Sequence, residues 1–341
     1  MKVCSNSIFC RISASKAPRS RGMHGLQIFS FPQRLGCAIF WSVKRFECDA
    51  TMEVFALKDL ISNESNKAWE NQMVAIRQFL AKRPDLLDVM ESKVGQILQI
   101  ATLRLKKQSS TSDKEIPETL VVGNTHLFYH PLADHVRCIQ AYTVCKQLDK
   151  VCREACASGR SRSPFVLCGD LNSDPLSGAL RLLVNREVES DHFETWKSLD
   201  TYSWDKGDHE YMLMQGYVGN EVDADSEPAY VEEAFEDAQD HFEPETRGLN
   251  SPPTIRLPDC FPNLVSGYSE MPEFTNYAVD FSETLDYVFA SGPTKEQSGF
   301  VAVAEAPCPS SSDMQPYGAM PNESMPSDHI SLVCDLEWKR T

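Results

Sequence analysis

The sequence predicts an α/β fold, and three observations carry that prediction. Runs of β-branched and apolar residues at 120–122, 165–167, 285–289 and 330–336 have the length and composition of buried strands. Stretches of helical spacing lie between the strand-like runs, at 68–83 and 133–157. The resulting order, strand, loop, strand, then helix, is the one that layered α/β packing requires.

From the N-terminus, residues 1–45 contain Lys2, Arg11, Lys16, Arg19, Arg21, Arg34, Lys44 and Arg45, and no acidic residue precedes Glu47. Together with several serines this is the composition of a mitochondrial presequence, and equally that of a disordered tail. Residues 37–46, CAIFWSVKRF, read as a strand, a turn and a second strand. Trp69, Met73, Ile76, Phe79 and Leu80 then mark one face of a helix over 68–83, ended by Pro84. A strand over 94–105 and a Lys- and Ser-rich turn over 106–114 lead to the strand that ends at His126. In the helix expected over 133–157, Cys138, Cys145, Cys152 and Cys156 share a face. Residues two turns apart cannot converge on one ion, so these thiols read as core packing rather than a zinc site. Over 202–258 the chain turns acidic, with no Lys or Arg between Glu221 and Glu245, and reads as a solvated insertion.

At 341 residues the chain is long enough for one large domain with an insertion, or for two ordinary ones. Its formal net charge of −16 argues against broad electrostatic binding of nucleic acid and excludes a DNA duplex as partner. Phosphates must be met through a cation and a small local cluster. Twelve cysteines without the density of a secreted scaffold point to reduced thiols. No apolar run approaches the ~20 residues of a membrane span.

Three polar strings stand at strand ends: Asn124-Thr125-His126-Leu127, Gly169-Asp170-Leu171-Asn172-Ser173 and Ser327-Asp328-His329. A third carboxylate, Asp286, lies inside a strand between Leu285 and Tyr287, where burial without a partner would be costly. Each string has an ordinary reading: a turn, a helix cap or a strand-end hydrogen bond. Together, two imidazoles, three carboxylates and an amide on rigid strands suit metal-assisted phosphodiester hydrolysis. Carboxylate oxygens hold a hard cation, histidines stabilise or protonate a phosphate, and one carboxylate polarises water.

In order and spacing these strings resemble the endonuclease/exonuclease/phosphatase superfamily. The stretches NTHLFYHPLADHVRCIQ (124–140) and FTNYAVDFSETLDYVF (274–289) resemble its deadenylase-like branch, the one that contains 2′,5′-phosphodiesterase 12. The resemblance implies a four-layer α/β sandwich, two mixed sheets flanked by helices. It also implies exonucleolytic hydrolysis of 2′,5′-oligoadenylate and 3′,5′-linked poly(A)-type RNA to 5′-AMP, with Mg2+, or Mn2+ in its place. By the same resemblance His126 stabilises the phosphate or donates a proton, Asp170 polarises water, and Asn172 orients the scissile phosphate. Asp286 orients His329, His329 is the second phosphate contact, and Asp328 is a metal ligand. Tyr129, His130 and Arg137, which follow the strand of His126, read equally as holding an oligonucleotide or as ordinary surface, and by the resemblance Phe274, Asn276 and Tyr277 hold the neighbouring base. The superfamily's Asn-bearing first strand and the metal-ligand Glu of the next find no counterpart upstream of Gly36. The resemblance therefore assigns residues 36–341 to the C-terminal two thirds of the catalytic domain, behind a replaced or leader segment 1–35. The branch includes matrix enzymes, which makes the mitochondrial matrix the expected location and the cytoplasm the other. Two alternatives stand beside this reading. One is a catalytically impaired paralogue or isoform acting as a binding or regulatory protein; the other is a phosphoinositide or sphingolipid phosphodiesterase.

Overall fold

The strand runs assemble into two mixed sheets that face each other. The structure is a computed structural model that describes residues 9–13, 26–28, 37–48, 52–62, 66–106, 117–156, 162–200, 251–279, 281–295 and 297–341. In chain order the elements begin β1 (Phe9–Ser13), β2 (Leu26–Ile28), β3 (Ala38–Phe40), β4 (Phe46–Cys48), β5 (Glu53–Ala56), α1 (Leu57–Ser62), α2 (Lys67–Ala81) and α3 (Pro84–Asp88). Next come β6 (Ile97–Leu105), β7 (Thr119–His126), α4 (Asp134–Glu154), β8 (Phe165–Asp170), α5 (Gly178–Asn185), β9 (Glu187–Val188) and α6 (Phe193–Trp196). After residue 250 they are β10 (Ile255–Arg256), β11 (Leu264–Ser266), β12 (Asn276–Tyr277), β13 (Ser282–Glu283), β14 (Asp286–Ser291), β15 (Gly299–Glu305), α7 (Ser311–Met314) and β16 (Val333–Lys339).

The larger sheet runs β11-β14-β8-β7-β6-β4, with β5 also paired to β6. Its β7 and β8 are parallel, joined by α4 as the crossover helix that a parallel pair needs. The smaller sheet runs β1-β16-β15, with β1 parallel and β15 antiparallel to β16. Period-two alternation divides β8 between two cores. Phe165 and Leu167 face the helices together with Trp69, Tyr142 and Phe289, while Val166 and Cys168 face Phe300, Cys334 and Leu336 of the smaller sheet. All six residues of β8 are therefore buried. Among the described residues, helices cover the outer face of the larger sheet, and the smaller sheet leaves Val303 51% exposed on its own outer face.

Helix α2 forms where expected because Asn66 caps it, its Oδ1 accepting from the Ala68 amide at 3.0 Å, and because Trp69, Met73, Ile76, Phe79 and Leu80 are the residues it buries. Pro84 does more than end α2, since it occupies the first turn of α3, where a missing N–H costs nothing. Trp69 meets Tyr142 of α4 edge-on at 5.2 Å and donates from Nε1 to the buried Asp149 at 2.8 Å. Arg153 and Arg162 compensate that carboxylate, at 2.9 and 2.6 Å. Cys138, Cys145 and Cys152 are wholly buried core thiols, which burial pushes well above their ordinary range, and Cys156 is half-buried.

Several expectations change. Residues 1–35 were read as lying outside the fold, yet β1 completes an edge of the smaller sheet alongside β16 and β2 pairs with β3. The open edge of β16 offers unpaired backbone groups, and a five-residue run is enough to satisfy them. The strand, turn and strand over 37–46 do form, but β3 pairs with β2 and β4 with β6, so they are not a hairpin. The last strand starts at Val333 rather than residue 330, because Ile330 donates its N–H to Thr275 and His329 bridges Asn276. Most of the basic leader, the polar turn from 107 on and the acidic insertion up to residue 250 lie outside the described residues. No helix among the described residues is long and apolar enough to cross a membrane.

Candidate active site

Three neighbouring strands deliver three of the predicted groups in one row. β7 and β8 place His126 opposite Asp170, and β8 and β14 place Asp170 opposite Asp286. His329 comes from the loop ahead of β16, held beside the row by its bridge to Asn276 and by the Tyr277 N–H donating to the Asp328 carbonyl at 3.1 Å. Asp170 Oδ2 lies 3.5 Å from His126 Nε2 and 3.8 Å from His329 Nε2. His329 Nδ1 lies 2.6 Å from Asp286 Oδ2. Asp170 and Asp286 are 3% and 2% exposed, whereas the His126 side chain remains 26% exposed. The cluster is a buried acid pair with imidazoles on its accessible side.

Burial works against a charged His329, but the hydrogen bond and charge of Asp286, with the charges of Asp170 and Asp328, push it up to about 9. Burial and the neighbouring Asp170 also raise Asp286, against the opposing pull of His329 and Thr275. The two shifts agree that one proton is held tightly between this pair. The hydrogen bond expected between Asp286 and His329 is present.

Asn172 adopts a left-handed conformation, φ 47°, which a short polar side chain tolerates. Its N–H donates to Asp170 Oδ1 at 2.8 Å and its Nδ2 to the Leu127 carbonyl at 2.9 Å, tying the loop after β8 to the loop after β7. Gly169 is needed because a Cβ there would sit 2.0 Å from the Thr125 carbonyl oxygen. Tyr287 OH donates towards the Ser173 and Thr284 carbonyls, each at 2.7 Å, and the Thr275 hydroxyl accepts from the Asp286 N–H at 3.0 Å. Sequence reasoning missed both of these supports. The aromatic residue after Asp286 was a visible signal for the first, and nothing marked the second. It also missed Cys37, a buried thiol close enough to feel the charge of Asp170, which burial chiefly raises to about 12.

Three of the expected substrate contacts are redirected by packing. His130 and Arg137 are 2% and 4% exposed and do not face solvent. The Arg137 guanidinium donates to the carbonyls of Phe128, His130 and Pro131 and approaches Asp134 at 3.5 Å, while Asp134 Oδ2 accepts the Gly178 N–H at 2.8 Å. The pair clamps the loops that follow His126 and Asp170 to each other. Phe274 is wholly buried against Met314 and Met320, so it supports its segment from beneath and offers no face to a base. Asn276 is 6% exposed, and its Oδ1 is buried with no hydrogen-bond partner. Tyr129 and Tyr277 are half-buried.

Asp170, Asp286 and His329 offer ligand atoms that all lie within 4.8 Å of one another. Two buried carboxylates need more positive charge than one imidazolium supplies, so the donor set fits a hard divalent cation. The carboxylate of Asp328, the ligand expected from the sequence, is outside that trio.

Residues 54–329 match the profile of the Endonuclease/Exonuclease/phosphatase family. Mouse 2′,5′-phosphodiesterase 12 is 26% identical over 318 residues, covering 93% of this chain and 40% of the relative, and the human protein is 26% identical over 321 residues with the same coverage. Xenopus laevis CCR4-NOT transcription complex subunit 6-like-B is 24% identical over 310 residues, 89% of this chain and 46% of the relative. The chain thus spans less than half the length of these curated relatives. Among solved structures, ANGEL2, a 2′,3′-cyclic phosphatase in complex with adenosine-2′,3′-vanadate, superimposes with a TM-score of 0.54 at 16% identity, covering 91% of this chain and 72% of that one, a likeness of fold.

Proposed function

We propose that this chain, which belongs to the endonuclease/exonuclease/phosphatase family, is a divalent-metal-dependent phosphodiesterase that releases 5′-AMP from 2′,5′-oligoadenylate and 3′,5′-linked poly(A)-type RNA. The observation that carries this reading is the row His126–Asp170–Asp286 with His329 locked onto Asp286 at 2.6 Å. Such a row is built for proton control beside an anion. The names of the relatives, one a 2′,5′-phosphodiesterase and another a CCR4-Not complex 3′-5′-exoribonuclease subunit, support a phosphodiester substrate of the RNA type.

Of the trio that converges there, Asp170 would hold Mg2+, or Mn2+ in its place, while Asp286 and His329 stay paired to each other. The ion's chemistry there is to neutralise phosphate charge and to make water more acidic. Asp170 Oδ2, facing both imidazoles, orients the attacking water. His329, kept protonated by Asp286, donates a hydrogen bond to a non-bridging phosphate oxygen, where charge grows in the transition state. His126, the more exposed imidazole, gives its proton to the departing ribose oxygen as the P–O bond breaks. Asn172 holds the phosphate from the loop it pins. Asn276, with its buried Oδ1 unpaired beside His329, fits the exocyclic amine of adenine.

The test is release of 5′-AMP from each linkage by the purified protein beside His329→Ala. Release that the variant abolishes, with its melting temperature little changed, is the expected result. Equal release by both would overturn the assignment. Binding of oligoadenylate without release by the unmodified protein would favour the binding-protein alternative.

A further inference from the structure

The segment after β15 reads Pro309-Ser310-Ser311-Ser312-Asp313, and a chain of hydrogen bonds and packing leads from it to His329. Ser310 caps α7 through a reciprocal pair with Asp313. Its N–H and its hydroxyl donate to Asp313 Oδ2 at 2.9 and 2.6 Å, while its Oγ accepts the Asp313 N–H at 3.3 Å. Ser311 then donates its N–H to Glu273 Oε2 at 3.0 Å and its hydroxyl to Glu273 Oε1. Beyond that joint, Met314 of α7 is wholly buried against Phe274. Phe274 opens the stretch on which the site hangs. The Thr275 hydroxyl accepts the Asp286 N–H, the Thr275 carbonyl accepts the Ile330 N–H at 2.8 Å, Asn276 bridges His329, and the Tyr277 N–H reaches the Asp328 carbonyl. Helix α7 is therefore a strap, and its fastening at Ser310 and Ser311 fixes the backbone that carries His329.

We infer that Ser310 is a phosphorylation site for an acid-directed protein kinase, and that a phosphate there releases α7 and slows the catalytic site. A kinase of this class has a basic substrate groove that reads a carboxylate three positions after the serine. Asp313 is that carboxylate for Ser310, whereas Met314 and Gln315 take the position for Ser311 and Ser312. Ser310 is half-buried, with Ser312 and Asp313 exposed beside it. In the transfer the Ser310 Oγ attacks the γ-phosphorus of ATP, its proton passes to the kinase's general base, and the bond to the departing ADP oxygen breaks. The ester has no proton to give Asp313, and it adds about two negative charges near pH 7. It meets carboxylates that are already ionised, since Ser310 holds Asp313, and Ser311 holds Glu273, below the usual carboxylate range. Neither 257–294 nor 296–338 contains a Lys or Arg, so these segments bring no cation to the phosphate, and repulsion governs. A one-turn helix cannot hold its shape alone, so losing the reciprocal cap unwinds α7, withdraws Met314 from Phe274 and loosens the stretch that carries His329. The effect on rate rests on the proposed phosphodiesterase function; the modification and the release of α7 do not.

The test treats the purified protein with an acid-directed serine kinase and ATP, beside Ser310→Asn and Asp313→Asn, and locates the phosphate by peptide mass mapping. Asn caps a helix as well as Ser does and takes no phosphate, so Ser310→Asn should release 5′-AMP like the untreated parent. The expected result is one phosphate, on Ser310, in the parent and little in Asp313→Asn. Amide hydrogen exchange over 273–277 and 311–317 should then quicken in the phosphorylated parent. Its 5′-AMP release should fall about a hundredfold, the usual cost of shifting a catalytic group by about 1 Å, and a phosphatase should restore both. Phosphate on Ser311 or Ser312, or on none of the three, would overturn the inference. So would a protein phosphorylated on Ser310 whose exchange matches that of the untreated parent, and faster exchange with undiminished release would break the link to His329. Faster exchange in a protein that releases no nucleotide before or after treatment would keep the strap and remove the phosphodiesterase reading.

Discussion

Replacing Gly169 with Ala should damage catalysis far more than a single methyl suggests. The added Cβ would lie 2.0 Å from the Thr125 carbonyl oxygen, 3.0 Å from its carbon and 3.2 Å from its nitrogen, where ordinary contact begins at 3.4 Å. All three atoms are backbone of β7, so no side chain can swing aside and the strands must part by more than 1 Å. Thr125 and Gly169 are paired directly next to the His126–Asp170 pair, so that gap opens inside the site. Overpacking of this kind costs about 1–3 kcal/mol, and a displacement of about 1 Å in a catalytic group costs roughly a hundredfold in rate. Gly123→Ala is the internal control. Its Cβ would meet the Leu148 Cδ2 methyl at 2.9 Å, a side-chain terminus that can rotate away, so both stability and rate should change little. Denaturant midpoints and kcat for the two variants decide the matter. A Gly169→Ala protein as stable and as fast as Gly123→Ala would refute the placement of β8 against β7.

Asp286→Asn should fold normally and lose about 10⁴-fold in kcat through a mis-set His329, as when a carboxylate orienting a catalytic histidine is neutralised; near-normal turnover would make the pair purely structural. Arg137→Ala should cost about 3–5 kcal/mol in denaturant unfolding, because it leaves Asp134 buried and uncompensated. Unchanged stability with a raised KM would instead return Arg137 to the substrate. His135 is fully buried, and burial chiefly, with Arg137, holds it down at about 3 against an ordinary 6.5. The unfolded chain binds that proton first, so the stability His135 contributes is intact above pH 6.5 and falls as pH drops towards 3, by about 1.4 kcal/mol per pH unit. The stability difference between the parent and His135→Gln should therefore change with that slope over this range, and a difference independent of pH would contradict it.

The row His126–Asp170–Asp286 was legible because its signals are local. A polar cluster closing an apolar run marks a strand end, and Asp286 announced a partner by being a carboxylate in an otherwise apolar strand. Arg137 misled because residue type and helical spacing do not show which side of a helix tertiary packing will cover, and His130 because a loop residue gives no sign of being roofed over. α4 is enclosed on nearly all sides, so residues that read as surface became the clamp between two loops. Phe274 misled for a similar reason. The three methionines that wrap it and its neighbour Tyr277 lie some forty to fifty residues further on, in the one-turn α7 and the loop after it, which are too short to show a periodicity. β1 and β2 were invisible because three to five residues in a basic stretch carry almost no strand signal of their own. They are strands only because β16 and β3 present edges to pair with.

The central claim is that Asp170, placed between two imidazoles, drives metal-dependent cleavage of an adenylate phosphodiester. The most direct measurement is the initial rate of 5′-AMP release from 2′,5′- and 3′,5′-linked oligoadenylate by the chain and by Asp170→Asn, in Mg2+ and in EDTA. The account predicts release by the unmodified chain in Mg2+, none in EDTA, and a loss of at least about 10³-fold in the variant. Release that survives EDTA, release that Asp170→Asn leaves intact, or no release from either linkage would contradict it.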